Sequence, residues 1–101
     1  MGLGYTQTRH CELSATYARD ARKQFIEAVR STTASTKRTA GYSVKQFQCQ
    51  RALEAFGTGQ YLGGQAVAHA TACGAPTYHT ASKYEDMEGQ AQKRIMRFCF
   101  R

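Results

Sequence analysis

Apolar positions recur at helical spacing in four stretches of this 101-residue chain. In SATYARDARKQFIEAVRS, over residues 14–31, Tyr17, Ala21, Phe25, Ala28 and Val29 form one face. The opposite side carries Arg19, Lys23 and Arg30, partly neutralised by Asp20 and Glu27. In SKYEDMEGQAQKRIMRFCFR, Tyr84, Met87, Ala91, Ile95 and Phe98 share a stripe. Ser82 and Glu85 stand at capping-box spacing before it. The acids Glu85, Asp86 and Glu88 come early and Lys93, Arg94, Arg97 and Arg101 late, an order that complements a helix dipole.

Between these two segments, SVKQFQCQRALEAFG predicts a helix opened by Ser43 and Gln46 and ended by Gly57. A shorter helix follows, closed by Gly74 with Pro76 beyond it. STTASTKRTAGY, residues 31–42, has no large apolar residue before Tyr42 and reads as a flexible Ser/Thr-rich linker. The expected fold class is therefore all-α: one small domain over residues 1–101, a bundle of about four helices, with a short extended piece at one terminus allowed.

Composition changes this picture by thinning the core. Fifteen residues are alanine, whereas Leu, Ile, Val and Phe total fourteen. With a net charge of +7, so few large apolar side chains leave little surface to offset the entropy of ordering. Association with a second copy or another partner is expected to complete the fold. From Ala55 to Ser82 no Asp, Glu, Lys or Arg occurs, and this neutral segment is the expected association surface, carried by Tyr61, Leu62, Ala66, His69 and Cys73.

The four cysteines Cys11, Cys49, Cys73 and Cys99 are spread evenly, without CxxC pairs. That spacing signals neither a disulfide framework nor a zinc ribbon, so reduced thiols are expected. MGLGYTQTRHCELS lacks the apolar run of a signal peptide, and no stretch approaches a membrane span; a soluble, cytoplasmic protein is expected. MGLGYT also fits the N-myristoylation pattern at Gly2 and Thr6, a short motif that an ordinary chain start satisfies as well.

Candidate chemistry is sparse. His69 and Cys73, one helical turn apart, have zinc-ligand chemistry, with His79 or the His10–Cys11 pair to complete a site. Structural zinc sites carry two tight ligand pairs, and close helix packing explains the same residues, so no metal and no cofactor are expected. A Cys73 or Cys11 thiolate with His69 or His79 as base lacks any motif to specify it, so catalysis is not expected.

The cationic balance is the broadest clue, and it points to a polyanionic partner. Arg19, Lys23, Arg30, Lys37, Arg38, Lys93, Arg94, Arg97 and Arg101 are the expected contacts to a nucleic acid or nucleoprotein complex. No helix-turn-helix or aromatic RNP pattern supports base-specific reading. The competing expectation is a phage-like inhibitor or adaptor that occupies an acidic host protein, anchored by Tyr5, Tyr42, Tyr61, Tyr78 and Arg38.

Overall fold

The computed structural model describes residues 6–37 and 41–100. It holds four helices, α1 (Gln7–Ser35), α2 (Tyr42–Cys73), α3 (Thr77–Ala81) and α4 (Glu85–Cys99), and no strand among those residues. The all-α expectation is met. Helices α1 and α2 form a long antiparallel hairpin, α4 lies along both, and the molecule measures 57 × 23 × 16 Å.

The hairpin is held by small residues at heptad spacing. On α1 the buried positions Ser14, Ala18, Ala21, Phe25, Ala28, Thr32 and Ser35 follow alternating steps of four and three, with Ser31 buried beside Thr32. This is the period of a coiled-coil seam. On α2 they are Ala52, Ala55, Gly59, Gly63, Ala66, Ala70 and Cys73, with one extra step of four between Gly59 and Gly63. Such an insertion shifts the seam locally, and the two largest core rings fill that place. A Cβ on Gly59 would lie 2.6 Å from the Phe25 ring, and one on Gly63 would lie 3.0 Å from Tyr84. The Tyr84 hydroxyl donates to the Gly63 carbonyl at 3.3 Å, and Phe25 packs against Phe56 and Tyr84. Phe25 is fully buried, so this aromatic layer is the waist of the molecule.

Several boundaries differ from expectation for identifiable reasons. Helix α1 starts at Gln7 because the Thr6 hydroxyl accepts from the Arg9 amide. It also runs into the supposed linker, to Ser35. There, Thr32 donates to the Val29 carbonyl and Ser35 to the Thr32 carbonyl, so the hydroxyls are satisfied within the helix. Their small size lets them pack as alanine does; the rest of the linker includes residues 38–40, outside the described residues.

Gly57 does not end a helix. The two segments expected on either side of it are one 32-residue helix, because tertiary packing of Ala55, Gly59 and Gly63 outweighs the glycine penalty of about 1 kcal/mol. Gly74 does terminate it, in the left-handed conformation at φ 78°, with its amide on the Thr71 carbonyl. Neither capping box forms: Gly41 and Tyr84 hold the N-cap positions without a side-chain cap, and the Ser82 hydroxyl donates to His79. The α4 stripe lies as expected, with Tyr84, Ala91 and Ile95 buried and Met87 packed beside them.

All four cysteines are paired, Cys11 with Cys73 and Cys49 with Cys99. This corrects the expectation of reduced thiols. Partners 62 and 50 residues apart meet because antiparallel helices bring opposite ends of the chain together, which linear spacing cannot express. Disulfides persist in oxidising surroundings, so a cytoplasmic location loses the support that reduced thiols gave it. No described helix is long and apolar enough to cross a membrane.

Candidate polyanion-binding end

The hairpin and the Cys49–Cys99 bond bring three helix ends together: the end of α1, the start of α2 and the end of α4. On this side of the Phe25 layer the described charges are Arg30, Lys37, Lys45, Arg51, Lys93, Arg94 and Arg97 against Glu27 and Glu54. On the other side Arg9, Arg19, Arg22, Lys23 and Lys83 are offset by Glu12 and Asp20 and by Glu85, Asp86 and Glu88, which stand at the waist in the first turn of α4, with Asp86 on Arg22. The second set cancels and the first does not. The excess positive charge of the described residues therefore collects at one end of a rod.

Exposed aromatic rings lie among these cations. Tyr42 is 79% exposed, Phe47 57% and Phe100 59%, in a chain with few large apolar residues to spare. The Arg94 and Arg97 guanidinium carbons sit 5.2 and 5.3 Å from the Phe98 ring centre, and that of Arg51 sits 5.9 Å from Phe47. These are cation–π distances. Arg94 is fixed further by donating to the Thr32 and Thr33 hydroxyls at 2.9 Å each. Between α2 and α4, Tyr42, Lys45, Gln46, Phe98 and the disulfide line a cleft of about 410 Å³.

The residues expected from sequence divide accordingly. Arg30, Lys37, Lys93, Arg94 and Arg97 come to this end, although Arg30 lies 4.0 Å from Glu27. Arg19 lies on the balanced side at 3.8 Å from Asp20, and Lys23 on the same side, so neither joins the group. Arg38 and Arg101, like Tyr5, Gly2 and the myristoylation motif, fall outside the described residues. Lys45, Arg51, Phe47 and Phe98 are additions, with Arg51 3.5 Å from Glu27. The signal for them was present: no acid occurs in residues 36–53 or 89–101, and the disulfide makes these two acid-free stretches neighbours.

The other end is built differently. His10 and His69 meet at 2.8 Å between their Nδ1 atoms, so one imidazole donates and the other accepts. Tyr17 stacks on His69, and the Ser14 hydroxyl donates to the Ala66 carbonyl. Cys73 is bonded to Cys11, so the imagined pairing of His69 with a Cys73 thiolate does not exist. No cluster of three metal-ligating groups occurs among the described residues. Of the expected association residues, Ala66 and Cys73 are buried, Leu62 packs on the core, and His69 faces His10. Tyr61 alone is exposed, at 64%. Contacts inside the chain account for the buried part of residues 55–82, while Tyr61, Tyr78 and other uncharged residues of the segment are exposed.

Two ionisable groups stand out electrostatically. The hydrogen bond from Arg22, at 2.7 Å, holds the exposed Asp86 carboxyl below its usual range. Burial, with Glu88 and Glu85 nearby, pushes the Tyr84 phenol up. Both lie outside the basic end. No known family model, curated protein or solved structure matches this chain.

Proposed function

We propose that this chain is a non-catalytic binding module that holds a nucleic-acid backbone at its basic end. The observation that carries the reading is the segregation of charge: Lys45, Lys93 and Arg97 are exposed at one end with no acid paired to them among the described residues, whereas on the far side Arg9, Arg19 and Arg22 are paired with Glu12, Asp20 and Asp86. Phosphate diesters are drawn to such a patch by counterion release, which needs clustered cations more than any fixed sequence motif. Arginines already placed over aromatic rings lose less freedom on contact than free side chains would.

Fluorescence anisotropy of labelled DNA and RNA, with the disulfides intact, tests this reading. Micromolar or tighter binding at about 50 mM salt is expected, weakening with a log–log slope of about −0.9 per phosphate for duplex and −0.7 for single strands. Absence of binding to every oligonucleotide at that salt would refute it. A protein partner is the second reading, favoured by Tyr61 and Tyr78, which are exposed away from the basic end. Capture of the same protein from nuclease-treated and untreated lysate would favour it.

A further inference from the structure

We infer that the cleft between α2 and α4 is a nucleotide subsite, in which an unstacked base lies against Tyr42 and Phe98 and its phosphate meets Lys45. This rests on the polyanion-binding reading and narrows its ligand to single strands.

The cleft, about 410 Å³, lies within the size range of small-ligand sites, and its chemistry is mixed. Phe98 offers a half-buried ring that also carries the Arg94 and Arg97 guanidiniums, Tyr42 a ring open to solvent, and Gln46 an amide that both donates and accepts. A hydrocarbon chain would leave Lys45 and Gln46 unmatched. A base and its phosphate match all four: ring on ring, base edge on amide, and anion on ammonium. Arg97, close to Phe98, adds a second cation for the next phosphate.

The base must be free of its pairing partner to enter. In a duplex the stacked bases present only their edges, so the cleft would see backbone alone. Stacking of a base on an aromatic side chain is sequence-tolerant, in keeping with a chain that carries no base-reading motif. The Cys49–Cys99 bond fixes the distance between the two walls by joining α2 to α4 at the cleft floor.

The experiment compares four probes by anisotropy or competition at one salt concentration: a deoxythymidine 12-mer, the same strand with abasic sites, a duplex of equal length, and vesicles containing anionic lipid. The 12-mer is expected to bind about tenfold more tightly than the abasic strand or the duplex. Tyr42→Ala, at a surface position, is expected to erase that preference, and Tyr42→Phe to retain it. Lys45→Ala is expected to reduce the single-strand salt slope by about 0.7. Equal affinity for the abasic strand and the 12-mer, or a preference that survives Tyr42→Ala, would overturn the subsite while leaving polyanion binding intact. Binding to vesicles without binding to any oligonucleotide would overturn both readings.

Discussion

Each end of the rod is closed by a disulfide, and the surroundings of the two bonds are opposites. Cys11–Cys73 lies where His10 meets His69, Ser14 holds the Ala66 carbonyl, and Gln7 donates to the Cys73 carbonyl. These polar groups bond within the chain itself. Cys49–Cys99 lines a cleft shared with the exposed Tyr42 ring, the half-buried Phe98 ring and Lys45. The same covalent device completes a closed region at one end and holds open a surface at the other. Exposed rings are costly in a protein with so thin a core, so their coincidence with unpaired cations at one end is the better guide to function.

The waist joins the two ends, and breaking it should have the largest effect. Phe25→Ala removes the largest fully buried ring and is expected to cost about 3–5 kcal/mol, measured by urea unfolding. Both ends should loosen together, with loss of binding and of amide protection throughout. Next come the disulfides taken separately. The enclosed lengths of 62 and 50 residues place each bond at about 4 kcal/mol in the chain-entropy account. Replacing Cys11 and Cys73 by serine should lower stability while leaving oligonucleotide affinity per folded molecule unchanged. The same change at Cys49 and Cys99 should lower stability and affinity together. If both pairs affected binding equally, the contrast between the ends would be lost.

A smaller effect is expected from charge. Lys45→Ala with Arg97→Ala should weaken oligonucleotide binding about tenfold at low salt and leave the melting temperature within a few degrees. The matching change of Arg19 and Lys23 on the balanced side should do little to either. The smallest effect concerns Tyr84. Its unfolded-state phenol releases a proton near pH ~10, and the folded phenol holds its proton to higher pH. The associated stability is complete below about pH 10 and disappears as pH rises through the folded value. Urea titrations from pH 7 to 11 should show this alkaline decline in the wild type and a shallower one in Tyr84→Phe, which also lacks the bond to Gly63.

Local chemistry was legible wherever it was decided locally. The faces of α1 and α4, the acid-to-base order along α4, the stop at Gly74 and the all-α class follow from side-chain period and backbone preference. The length of α2 did not, because Gly57 carries a real helix penalty and only the packing of Gly59 on Phe25 and Gly63 on Tyr84 explains why the helix continues. Nor did the extension of α1 through Thr32 and Ser35, which needed partners for their hydroxyls.

At the functional level, the amino-acid sequence by itself determined the cationic excess, the acid-free stretches and the scarcity of large apolar side chains. Tertiary structure alone decided which cations add together. Lys45 and Arg97 lie on helices separated by half the chain, and Arg19 sits beside Asp20. Electrostatic potential depends on distances in space, and those distances were set by an antiparallel hairpin and two disulfides that no local pattern announced.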